Sequence, residues 1–140
     1  MKNIVGLLLI VAPALAVADK QLDKGTTWDC KKDPVVNIGT GGGKYTFKGA
    51  CTTINLGGGK NTLAIESVDT LNVGSGVNTI NAATVQTLNV GGAKNTIIVG
   101  TVGTIDVGGA DNTITWKKAA AGDKPTLRGQ PDKNTIVQGK

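Results

Sequence analysis

The sequence predicts an all-β fold, a single-stranded parallel β-helix (β-solenoid) with coils of about 17 residues. Three observations predict it. Asn-Thr pairs stand at 61/62, 78/79, 95/96 and 112/113, each 17 residues from the next. Written in rows of that length from residue 53, the chain aligns apolar columns without a gap: Ile54, Leu71, Leu88, Ile105; Leu56, Val73, Val90, Val107; Leu63, Ile80, Ile97, Ile114. Gly-rich bends, such as Gly57-Gly58-Gly59 and Gly91-Gly92-Ala93, recur between them. Columns two residues apart have the period of a strand with one buried face. A row this short, holding two short strands, cannot bury that face alone, but stacking on the next row closes a continuous core. An antiparallel sandwich or meander also repeats strands, yet it does not superpose equivalent turns and so leaves the strict columns unexplained.

Residues 1–18 read as an export signal: Lys2, an apolar run from Ile4 to Val17, and Ala16-Val17-Ala18 as the small-residue cleavage site. The alternative is an uncleaved anchor. Asp19 and Lys20 end the run too early for a convincing membrane span, and no later segment is long or apolar enough, so no membrane insertion is expected after cleavage. Residues 19–34 are polar and read as an irregular N-terminal cap, and residues 35–140 as the solenoid. Gly41 to Phe47 is similar to Gly57 to Leu63 at an offset of 16, which places a degenerate first coil over about Val35 to Ala50. Cys51 falls in the inward column of Val68, Val85 and Val102. With Cys30 it is read as one disulfide tying cap to coil, worth about 3 kcal/mol by loop entropy; a redox-active pair would call for Cys-x-x-Cys spacing.

In the regular coils a further apolar column runs Ile65, Ala82, Val99 and Trp116. The Gly-rich bends are expected to hold the left-handed backbone. Parallel stacking puts equivalent residues about 4.8 Å apart, so Asn61, Asn78, Asn95, Asn112 and Asn134 are expected to form a ladder of bonded amides. The last Asn-Thr, 134/135, follows after 22 residues. The five extra are assigned to a loop at Ala121 to Pro125 before a last imperfect coil, with Pro131 discouraging a further strand and Trp116 a plug or rim residue rather than a ligand stacker.

Composition narrows the function. The chain has no His, which removes Ser-His-Asp and Cys-His catalysis and His-rich zinc sites. Its lysines are scattered with no aromatic row, so no nucleic-acid groove is expected. Glu66, Asp69, Asp106 and Asp111 are too dispersed for a paired-carboxylate site, so no enzyme activity and no catalytic residue is expected. Calcium-binding nonapeptide solenoids need repeated Asp at the bends; here Lys60 and Lys94 occupy that place, and no metal or other cofactor is expected. Outward columns remain as a possible binding face: Thr53, Thr70, Thr87 and Thr104, alternating with Asn55, Asn72, Asn89 and Asp106. A second Thr row is 62, 79, 96 and 113. Such arrays suit ice or a glycan, although Thr is also an ordinary strand residue.

The recurring Gly-x-x-Asn-Thr-Ile/Leu, the Thr-Leu-Asn-Val between copies and the lead-in Phe47-Lys48-Gly49-Ala50-Cys51 resemble an exported bacterial family, domain of unknown function 3060, over about Cys30 to Gly139. The resemblance implies an exported repeat domain and brings no established activity or catalytic residues. The expectation is a non-enzymatic, periplasmic or secreted, monomeric structural or binding module of the cell envelope, its partner an envelope polysaccharide or another envelope protein. The alternatives are an assembling fibre or matrix subunit stacking through its coil ends, and ice or glycan binding through the Thr-x-Asn columns.

Overall fold

A computed structural model describes residues 19–140; the export signal read at 1–18 lies outside the described residues. The chain is a parallel β-solenoid of about six turns. Its strands are β1 (Lys20–Gln21), β2 (Thr27–Asp29), β3 (Val35–Ile38), β4 (Lys44–Leu56), β5 (Thr62–Val73), β6 (Thr79–Val90), β7 (Thr96–Val107), β8 (Thr113–Ala119), β9 (Thr126–Gly129) and β10 (Thr135–Gln138). Every pairing is parallel, and β5, β6 and β7 stack at the 17-residue offset: Leu71 on Leu88, Leu88 on Ile105. Superposed turns, rather than antiparallel neighbours, therefore account for the column identities.

Each coil is one bent strand where the sequence predicts two short ones. In β5 the buried side chains are Leu63, Ile65, Val68, Leu71 and Val73. The steps from 65 to 68 and from 68 to 71 skip one residue more than strand alternation allows, and these are the corners at which the strand turns to keep an apolar side chain inward. The coil thus has three sides, at 62–65, 67–68 and 70–73, all facing one core. Burying these files supplies the main driving force, at about 25 cal/mol per Å² of apolar surface.

The third corner closes each coil, and its glycines have a different role from the one expected. The left-handed residues are Lys60, Val77, Lys94 and Asp111, with φ of 57–62°, each just before a ladder Asn. The preceding glycines are instead places of close approach. A methyl group built on Gly58 or Gly92 would sit 1.8 or 1.9 Å from the carbonyl oxygen of Thr40 or Ser75 in the coil before. Stacking distance, not handedness, selects glycine there.

The first coil departs from the predicted offset of 16. Tyr45 stacks on Leu63 and Phe47 on Ile65, an offset of 18, whereas Ala50 to Leu56 stack at 17. The two aromatic rings, 1% and 0% exposed, occupy the apolar files of Leu63 and Ile65, whereas the Gly-Lys-x-Thr likeness would put Tyr45 in the file of the ladder asparagines. The single extra residue is taken up in a bulge between Phe47 and Ala50, where Gly49 has φ of 76°.

The N-terminal cap is also more regular than its composition predicts. β1 pairs with β3 and β2 with β4, so residues 19–34 form a partial coil that continues the parallel sheet. Leu22 and Cys30 are buried, and Trp28 lies in register with Phe47 and packs against the core. Cys30 and Cys51 are joined, Cα to Cα 5.0 Å. At the other end, β9 and β10 pair with β7 and β8 at an offset of 22, so the five-residue insertion lies between Ala120 and Thr126.

Candidate functional site

The side formed by residues 70–73 of each coil carries the Thr-x-Asn columns. Strand alternation sends Leu71 and Val73 inward and Thr70 and Asn72 outward. Thr53, Thr70, Thr87 and Thr104 stand in register, and the last coil adds Thr126. The neighbouring file is Asn37, Asn55, Asn72, Asn89, Asp106 and Arg128. Asn37 and Thr126 were not singled out from the sequence. The 18-residue first coil and the C-terminal insertion displace them from the 17-residue rows.

The outer asparagines are bonded to one another. Asn89 Nδ2 donates to Asn72 Oδ1 at 2.8 Å, Asn72 Nδ2 to Asn55 Oδ1 at 2.7 Å, Asn55 Nδ2 to Asn37 Oδ1 at 2.7 Å, and Asn37 Nδ2 to Asp19 Oδ2 at 3.3 Å. This second ladder is half-buried, with every amide pointing its donor toward the N-terminal end. It stops at Asp106, whose carboxylate has no N–H to pass on to Asn89 Oδ1.

The inner ladder is deeper and runs the other way. Asn61, Asn78, Asn95 and Asn112 are each 1% exposed. Asn78 Nδ2 donates to Asn95 Oδ1 (3.1 Å), Asn95 Nδ2 to Asn112 Oδ1 (3.0 Å), and Asn112 Nδ2 to Asn134 Oδ1 (2.9 Å). Each Oδ1 also accepts the backbone N–H of the asparagine one coil earlier, at 2.9 Å from Asn61 to Asn78 through Asn112 to Asn134. Gly43 N takes the place of that donor for Asn61, at 2.7 Å. The remaining amide protons reach bend carbonyls: Asn61 to Thr40 O, Asn95 to Ser75 O, and Asn112 to Gly92 O, all at 3.0 Å. The left-handed residue before Asn61, Asn78, Asn95 and Asn112 is what turns the side chain inward, and the side chain then satisfies the backbone donor that the turn takes out of the strand ladder. Among the described residues no buried side-chain polar atom lacks a partner.

The other candidates are placed apart. Glu66 accepts from Gly49 N at 2.6 Å and closes the bulge of the first coil. It borders a shallow hollow of about 310 Å³ over Phe47, Ala64, Asn81 and Ala83. Asp111 occupies a left-handed bend position in file with Lys60, Val77 and Lys94. The second Thr row, 62, 79, 96 and 113, continues in register to Thr135 and is exposed, but on a different side of the coil. Trp116 is 6% exposed beneath the C-terminal loop and lines a hollow of about 380 Å³ with Lys124, Pro125, Leu127, Ile136 and Gln138.

What the Thr/Asn side presents is an array of hydroxyls at fixed spacing beside amides already locked by their neighbours. A family model described as Protein of unknown function (DUF3060) matches residues 73–129. The match is to the family that the repeat resembles. The DUF3060 segment runs from the end of β5 to the end of β9, narrower than the span from Cys30 to Gly139 expected from the motifs. No curated protein and no solved structure matches the chain.

Proposed function

We propose that the chain is an exported, non-catalytic β-solenoid that serves the cell envelope as a rigid binding module, taking an envelope polysaccharide on its Thr/Asn side. The observation that carries this reading is the file of five in-register threonines beside the bonded outer asparagines. A polar array held in place before binding loses little entropy when a repeating, hydroxyl-rich polymer lies along it. Export is supported by the sequence of residues 1–18 and by a disulfide, which persists in oxidising compartments. Among the described residues no helix is long and apolar enough to cross a membrane.

The test is co-sedimentation of residues 19–140 with purified peptidoglycan sacculi. Binding that falls about tenfold in Thr70→Tyr/Thr87→Tyr and persists in Thr79→Tyr supports the reading. No co-sedimentation, or equal loss in both variants, ends it. Ice binding is the second reading, favoured by the extension of the Thr file to Thr126. Asp106 and Arg128 break the flanking Asn file, which puts polysaccharide first. A parent protein without thermal hysteresis removes ice.

A further inference from the structure

The two ends of the solenoid differ in charge and in cover. Residues 19–116 carry eight basic and eight acidic side chains, whereas residues 117–140 carry six basic and two acidic. The net positive charge of the described chain therefore sits entirely at the C-terminal end. The N-terminal core is covered by Leu22, Cys30 and Trp28. At the C-terminal end the inward files stop at Leu127, which follows Ile105, and Ile136, which follows Ile114. Leu127 is 46% exposed although it stands in a core file, and with Trp116 and Ile136 it lines the hollow rimmed by Lys124. β9 and β10 each pair on one side only, with β7 and β8, so one edge of each is open among the described residues.

We propose that this end is a docking edge for an extended acidic polypeptide segment of a partner protein, added as a strand along β9. An open strand edge supplies main-chain hydrogen bonds, and side-chain alternation supplies specificity. Inward-facing aliphatic residues of the segment cover Leu127 and Ile136, and outward-facing carboxylates meet Arg128 and Lys124. The segment that fits alternates carboxylate and aliphatic side chains. A second copy of this chain is a poorer fit, because its N-terminal cap, residues 19–34, has four basic and four acidic side chains and offers no opposite charge.

Trp116 is the reporter, with Trp28 at the far end replaced by Phe to remove its background. An acetylated octapeptide alternating Glu and Val is titrated against residues 19–140, with a Lys/Val peptide as control. Expected are a saturable change in Trp116 emission with Glu/Val alone, and binding at least about tenfold weaker in Lys124→Glu/Arg128→Glu and in Leu127→Asp. Raising salt from about 0.05 to 0.5 M is expected to weaken it by a similar factor. Three results overturn the proposal: no saturation by the Glu/Val peptide at about 1 mM, equal binding of the Lys/Val peptide, or self-association in light scattering that Leu127→Asp abolishes. The last makes a second copy the occupant. Circular dichroism of each variant separates lost binding from lost fold, and the double charge variant, altered only at exposed positions, keeps the test valid if Leu127→Asp unfolds the last coil.

Discussion

Replacing Asn95 by Leu keeps the branching at Cγ and removes every polar atom, so it isolates what the inner amide does. Four hydrogen bonds are lost: from Asn78 N at 2.9 Å and Asn78 Nδ2 at 3.1 Å, and to Ser75 O and Asn112 Oδ1 at 3.0 Å. Asn112 Oδ1 still accepts from the residue 95 backbone at 2.9 Å. Asn78 N–H has no remaining partner, while Asn78 Nδ2 keeps only contacts of 3.4 Å to Ser75. Each stranded buried group costs about 1–3 kcal/mol, and the apolar transfer of the new side chain offsets about 1–2 kcal/mol. The expected net loss is about 2–4 kcal/mol, or a melting temperature about 10 °C lower for a domain of this size. Urea unfolding followed by far-UV circular dichroism measures it. Asn72→Leu in the outer ladder is the control: its partners, Asn89 Nδ2 and Asn55 Oδ1, are half-exposed and recover water, so about 0.5–1 kcal/mol is expected. An Asn95→Leu midpoint matching the parent, or equal losses at the two sites, refutes the argument that burial gives the inner ladder its weight.

Four further substitutions probe the bends and the outer file. Val77 holds a φ of 62° with a β-branched side chain and is 55% exposed; Val77→Asn relieves about 1–2 kcal/mol of left-handed strain, forfeits part of that in contacts, and is expected to raise the urea midpoint by the equivalent of about 0.5–1 kcal/mol. Gly92→Ala drives a methyl to 1.9 Å from Ser75 O, whereas Gly108→Ala meets nothing within 4 Å. The first is expected to cost about 2–3 kcal/mol and the second to be neutral or to stabilise by about 0.5 kcal/mol, which thermal melts of the pair will show. Asp106→Asn supplies the donor that Asn89 Oδ1 lacks and is expected to add about 0.5–1 kcal/mol, with the residue 106 side-chain amide protons protected from exchange in NMR spectra.

Legibility in the sequence followed the strength of the pattern. The five inward files from residue 54 to 114, the Cys51 position under Val68 and the five-residue insertion all follow from counting, because stacking at a fixed offset turns spatial neighbours into equal intervals along the chain. Misreadings cluster where one interval changes. Gly41–Phe47 copies the later motif in letters, yet that match would put Tyr45 in the polar file of Asn61, and placing both rings in the apolar files of Leu63 and Ile65 outweighs the likeness. Residues 19–34 lack the repeat and still pair, since an exposed parallel edge accepts any extended segment that can place Leu22 and Cys30 inward. In the Thr-x-Asn face the residues of the regular rows were legible; Asn37 and Thr126 were not, because offsets of 18 and 22 displace them from those rows, and the bonding of the outer amides depends on side-chain orientation that residue type alone does not give.

Taken alone, the sequence determined the solenoid, its 17-residue pitch, the inward files and the amide column, since periodicity and residue type carry that information directly. Tertiary structure decided which bend residue takes the left-handed conformation, why glycine flanks it, and in which direction each amide ladder donates. Those depend on the distance between one coil and the next, and on which backbone groups a turn leaves without a partner. Neither quantity exists until the coils are stacked.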